Sequence, residues 1–160
     1  MEPTTAEIYD ELAPSVLGYF RSRGARSPED LTGDVFVKVA AGREGFRGDR
    51  AALRRWVFTI AHNRLVDEYR AVGPRRETSV SRIPETVTID EVPLDAELLR
   101  ALASINEQQR EVVVLRFVAD LSTKDVAKII GKRAGAVKML QARGLEALAA
   151  ALSKESGATA

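Results

Sequence analysis

The sequence predicts an all-α protein of two small helical domains joined by a linker, the second containing a helix-turn-helix, and three observations carry that expectation. Apolar residues recur at helical spacing through most of the 160 residues, with almost no alternating strand pattern. A proline-broken stretch, residues 73–94, separates a first helical module, 1–72, from a second, 95–153, which a polar tail, 154–160, follows. Residues Ser122 to Arg143, reading STKDVAKIIGKRAGAVKMLQAR, have the pattern of two helices folded across a glycine turn.

In chain order, Ile8, Leu12, Val16, Tyr19 and Phe20 put one apolar stripe on a helix over residues 5–22, closed by Gly24. Ser27 reads as an N-cap and Pro28 as the first helical residue of a second helix, whose stripe is Leu31, Val35 and Val39. Gly33 inside it weakens the helix or marks a close contact. The three glycines of AGREGFRGDR, residues 41–50, predict a mobile basic loop carrying Phe46 ahead of a long helix from about Ala51 to Arg70. There Leu53, Trp56, Val57, Ile60, Ala61 and Leu65 form one broad apolar stripe, which favours a core role for Trp56 over a stacking role. His62 reads as a surface or capping group, since the sequence places no partner acid or nucleophile near it.

Helical patterning resumes at Asp95 with Leu98, Leu99 and Leu102, and Asn106 caps a helix rich in apolar residues from Val112 through Val118. Ser122 caps the next helix, which buries Val126, Ala127 and Ile130, and the small Ala127 admits a neighbouring helix closely. Gly131 supplies a left-handed turn. A helix restarts near Arg133 with Val137, Leu140 and Leu148 on one face and Lys138, Gln141 and Arg143 on the other. The tail SKESGATA is expected to be disordered. Taken alone, the helix-turn-helix segment fits a DNA reader or an ordinary antiparallel pair in a helical core.

Composition narrows the function classes. The chain has no cysteine and one histidine, so neither a disulfide framework nor a thiolate or histidine metal centre is expected, and no catalytic constellation, metal or cofactor is assigned. The acidic start, MEPTTAEIYDELAP, lacks a secretory pattern and no apolar run reaches membrane-spanning length, which predicts a cytoplasmic protein without membrane insertion. The net charge of +1 hides an alternation along the chain. Residues 1–40 hold four basic and seven acidic groups, net −3; residues 41–76 hold nine arginines against four acids, net +5. Residues 77–111 hold three basic and eight acidic groups, net −5; residues 112–160 hold eight against four, net +4. Each basic island suits a phosphate backbone.

The motifs SPEDLTGDVFVKV, RRWVFTIAHNRLVDEYR and INEQQREVVVLRFVADLSTKDVAKIIGKRAGAVKMLQARGLEAL, in that order around the linker, resemble the extracytoplasmic-function sigma factors of bacteria over nearly the whole chain. The resemblance implies sigma region two in the first module and region four in the second, with core RNA polymerase and promoter DNA as partners, and many relatives are held inactive by an anti-sigma factor. It implies polymerase docking through Asp30, Leu31, Asp34 and Phe36. It implies contacts to the minus-ten element, and help in melting it, from Phe46, Arg47, Asn63, Arg64, Asp67 and Arg70. Thr123, Lys124, Arg133, Ala134, Lys138 and Arg143 match positions that approach the minus-thirty-five element. The chain departs from the family pattern at Gly33, where many members carry glutamine, at Lys132, usually apolar, and in the alanine-rich stretch Leu145 to Leu152.

The linker's 22 residues span roughly 70 Å when extended but only about 26 Å as a coil. Two promoter elements about two helical turns apart are separated by roughly 70 Å, so the linker bridges them only when held nearly straight. Its acidic run, Asp90 to Asp95, is expected to discourage DNA binding by the free chain. The alternatives to a promoter-specificity subunit are a stand-alone helix-turn-helix regulator with an N-terminal ligand or dimerisation module, and a helical adaptor between proteins.

Overall fold

The computed structural model describes residues 2–72 and 95–158, and among them every regular element is helical. The predicted linker, 73–94, lies outside the described residues, except that Asp95, at the end of its acidic run, caps the next helix by accepting a bond from the Leu98 N–H at 2.8 Å.

The first module is three helices: α1 (Thr5–Ser22), α2 (Pro28–Gly42) and α3 (Arg50–Val72). Helix α1 begins with a capping box: Thr4 Oγ1 accepts from the Glu7 N–H at 3.1 Å, and Glu7 Oε1 accepts from the Thr4 N–H at 2.8 Å. At α2 the expectation is half met. Ser27 sits at the cap position with Pro28 in the first turn, but its side chain makes no capping bond. Gly33 faces open space, so it marks no close contact.

Helix α2 runs on to Gly42 and is followed by a 3₁₀ turn, Arg43–Gly45, which leaves only residues 46–49 without helical structure in place of the ten-residue loop expected. Arg43 pins this turn by donating to the Pro3 carbonyl, and Asp49 Oδ1 caps α3 at the Ala52 N–H, 2.9 Å away. The predicted stripes meet in a core of Ile8, Leu12, Val16, Leu31, Val35, Val39, Val57, Ala61 and Leu65. Phe58, which the stripe reading missed, is fully buried and meets Tyr19 edge-on at 5.9 Å.

The second module comprises α4 (Ala96–Ser104), α5 (Glu107–Val113), α6 (Thr123–Ile130) and α7 (Ala134–Ala158). Asn106 Oδ1 accepts from the Gln108 and Gln109 N–H groups, as a cap should. The chain then loosens into a π-helical turn, Val114–Val118, which the periodicity did not foretell. Helix α7 crosses α5 at Gly144, where an added Cβ would lie 2.8 Å from Val113 Cγ2 and 3.3 Å from the Gln109 carbonyl oxygen. The expected disordered tail is corrected as far as Ala158, since α7 is one continuous 25-residue helix to that point.

The buried side chains of the two modules form one contiguous cluster, with α1 packed against the π-helical turn and α3 against α6. The sequence left open whether the two modules touch; the described residues share one core.

Candidate nucleic-acid interface

Two surfaces, one on each module, carry most of the residues for which the resemblance implies contact with DNA. The first is the 3₁₀ turn, the four residues after it and the exposed side of α3. Phe46 leaves the turn in an extended conformation and lays its ring on Trp56, with centroids 5.0 Å apart and planes 21° from parallel. Trp56 is half-buried, so it borders the core on one side and supports Phe46 on the other. The core role expected of Trp56 is met on its buried side, and its other side is occupied by Phe46. Arg47 donates to the carbonyls of Glu44 and Phe46, each at 2.8 Å, and so braces the turn while its side chain stays at the surface. Asn63, Asp67 and Arg70 are exposed at spacings of four and three on α3, hence on one face. Arg64 is held apart from them by Asp34 of α2, Nε to Oδ2 at 3.0 Å.

Of the docking residues expected on α2, Asp30 and Asp34 are exposed, but Leu31 and Phe36 are not. Leu31 is 2% exposed and Phe36 7%, with Phe36 packed edge-on against Tyr9 at 5.0 Å. They belong to the core because they share the buried side of α2 with Val35 and Val39. The exposed large apolar residue of that helix is Val37, at 70%.

The second surface is the helix-turn-helix. Ser122 Oγ accepts from the Asp125 N–H at 3.1 Å, which starts α6. Gly131 ends it at φ 70°, where a side chain would be strained, and the N–H groups of Gly131 and Lys132 both bond to the Ala127 carbonyl. Val126 and Val137, both fully buried, lock α6 to α7. Lys124, Arg133, Ala134, Lys138 and Arg143 are all exposed, and Thr123 is half-buried. Gln141 does not join them. Arg116 turns it inward, Nε to Oε1 at 2.9 Å, while bonding the Leu121 carbonyl through its other end.

Between the modules lies a polar seam that no sequence pattern announced. Arg23, at the end of α1 and 4% exposed, reaches Glu107 at 3.2 Å and Glu111 at 3.6 Å on α5. Tyr69 of α3 donates to the Arg23 carbonyl at 3.0 Å, and His62 Nδ1 faces Glu111 at 3.7 Å. His62 is thus a half-buried seam residue, neither a cap nor a free surface group. Burial lowers its pKa below the ordinary histidine value; Glu111 opposes that and Arg23 adds to it. Burial would raise the pKa of Glu107, but Arg110 and Arg23 more than offset it, so the carboxyl titrates below its usual range. Further along α3, Arg54 donates to the Ala119 carbonyl and Arg55 pairs with Asp125, both at 3.0 Å.

Two family models match the chain. Sigma-70 region 2 matches residues 8–74, and Sigma-70, region 4 matches residues 95–148. The chain is also 30% identical over 150 residues to the ECF RNA polymerase sigma factor RpoE of Cereibacter sphaeroides, covering 86% of this chain and 80% of that one. It belongs to the extracytoplasmic-function sigma factors. Another relative of this sigma factor is ECF RNA polymerase sigma factor BldN of Streptomyces coelicolor, 30% identical over 159 residues; the alignment takes in 93% of this chain but 60% of that longer protein. Among solved structures, the sigma factor RpoE of Bartonella quintana, crystallised with the anti-sigma factor NepR, superposes with a TM-score of 0.73 at 26% identity. That match covers 92% of this sigma factor and 96% of the Bartonella chain. No helix among the described residues of this sigma factor is long and apolar enough to cross a membrane.

Proposed function

We propose that this sigma factor directs core RNA polymerase to promoters from two surfaces, with Phe46, Arg47, Asn63, Asp67 and Arg70 engaging the minus-ten element and Arg133, Ala134, Lys138 and Arg143 the minus-thirty-five element. Thr123 and Lys124, at the start of α6, flank the second contact. The observation that carries the reading is the pairing of an aromatic stack at the head of α3 with an exposed cationic helix behind a tight turn, one on each module. A separated strand offers unstacked bases, which aromatic rings hold by stacking; a duplex major groove admits a helix.

Asp30, Asp34 and the neighbouring Val37 form the exposed side of α2 for docking on polymerase. Leu31 and Phe36 support that side from beneath. Arg64, tied to Asp34, links the docking helix to the DNA-facing one. The protein acts in the cytoplasm as a specificity subunit without a catalytic step of its own, and an anti-sigma factor binds it, as the Bartonella relative is found in complex with NepR.

Run-off transcription with purified core polymerase, with and without this chain, across a promoter library is the direct test. New start sites that appear only with the chain are expected. If none appears, and the chain alone shifts a duplex site, the stand-alone regulator takes its place.

A further inference from the structure

Met139 is the most exposed large apolar side chain among the described residues of the second module, at 56%, and it stands on the outer side of the recognition helix. Isolated apolar residues at a surface are common, so exposure alone decides nothing. Its surroundings are more informative. On a helix the side chains that can cover a residue come from positions three and four away. For Met139 these are Gly135, Ala136, Ala142 and Arg143, so three of the four are too small to shield it. Lys138 beside it, Arg133 toward the start of the helix and Arg143 one turn beyond are exposed cations. It is therefore a long, flexible apolar chain ringed by groups that suit phosphates, on the sixth residue of a helix that begins at Ala134.

The apolar group that B-DNA displays in its major groove is the C5 methyl of thymine. Lysine and arginine reach guanine acceptors or phosphates, but neither rewards a methyl. We propose that Met139 reads a thymine of the upstream promoter element through its C5 methyl, while Arg133, Lys138 and Arg143 hold the helix in the groove. The inference rests on α7 being the major-groove helix, as proposed above, and it adds a specificity-determining residue that no cationic contact supplies. The small residues around Met139 let the helix backbone lie close to the groove floor, within reach of its thioether.

The test uses the full chain assembled with core polymerase and promoter duplexes in which each thymine of the upstream element is replaced in turn by deoxyuridine, which removes only the methyl. One replacement should weaken binding by about fourfold, the worth of one buried methyl group. Met139→Ala should weaken binding to the thymine duplex by at least as much and be indifferent to the same replacement. Met139→Leu should retain part of the discrimination. Sensitivity to deoxyuridine at no position, or undiminished sensitivity in Met139→Ala, overturns the proposal. A nuclease footprint distinguishes this from failure of the underlying reading. Protection of the upstream element without a methyl effect removes Met139 alone, whereas absence of protection that Lys138→Ala cannot alter removes α7 as a reader altogether.

Discussion

Arg23 and Glu111 face each other across the seam between the modules, 3.6 Å apart, with the arginine side chain 3% exposed and the glutamate 18%. Breaking a buried pair by removing one partner leaves an uncompensated charge, which costs about 3–5 kcal/mol. Arg23→Met keeps the bulk and removes the cation, so it should destabilise the chain by about 3 kcal/mol in urea unfolding. Glu111→Gln should cost less, because Arg23 retains Glu107. Unchanged midpoints in both would mean that the seam does not persist in solution.

The seam also makes stability depend on pH. His62 has a folded pKa below its ordinary 6.5, so near and below that pH the unfolded chain binds the extra proton. Its contribution is fully present above pH 6.5 and is lost as pH falls toward the lowered folded value. Glu107 also has a lowered pKa, and its contribution is present above 4.5 and lost at lower pH still. Urea midpoints at pH 7.5, 6.5 and 5.5 should fall in that order, and His62→Gln should flatten the fall; a flat profile in the parent chain would contradict this.

Removal of the aromatic stack should affect melting more than docking. Phe46→Ala is expected to reduce open-complex formation by about tenfold, within the range for loss of one base-stacking contact. Permanganate reactivity of unpaired thymines reads the open complex, and core polymerase affinity serves as the control. Equal loss of both would assign Phe46 to docking or to folding.

Asp34 and Arg64 form a partly exposed pair joining α2 to α3. Such pairs contribute only about 0–1 kcal/mol to stability, so neither Asp34→Asn nor Arg64→Ala should move the unfolding midpoint far. The functional effects should separate: Asp34→Asn weakens core binding, whereas Arg64→Ala mainly weakens the minus-ten contact. Identical profiles for the two variants would show that they act through the pair alone.

The turn of the helix-turn-helix can be tested through its two ends. Ser122→Ala removes the cap on α6 and should cost about 1 kcal/mol. Gly131→Ala places a side chain at φ 70° and should cost at least about 1 kcal/mol, although nothing stands within 4 Å of the new methyl. Thermal unfolding measures both. A neutral Gly131→Ala would show that the turn relaxes to another backbone conformation.

What the sequence determined by itself is local. The caps at Asn106 and Ser122, the glycine turn at 131, the bounds of α1 and the apolar stripes all depend on residues within a turn or two of one another, and propensity and periodicity carry that information. The candidate DNA-contact residues came from the resemblance instead; periodicity adds only that Asn63, Asp67 and Arg70 share a side of α3.

Only the tertiary structure decided which of two plausible sides is covered. Phe36 goes to the core, Gln141 is claimed by Arg116, and Gly144 turns out to be where α7 crosses α5. The seam depends on partners far apart in the chain: Arg23 meets Tyr69 46 residues on and Glu107 84 residues on. No local pattern encodes such a meeting. A buried charge is tolerated only where another element brings the opposite charge to it, and that condition is met only once the helices have packed.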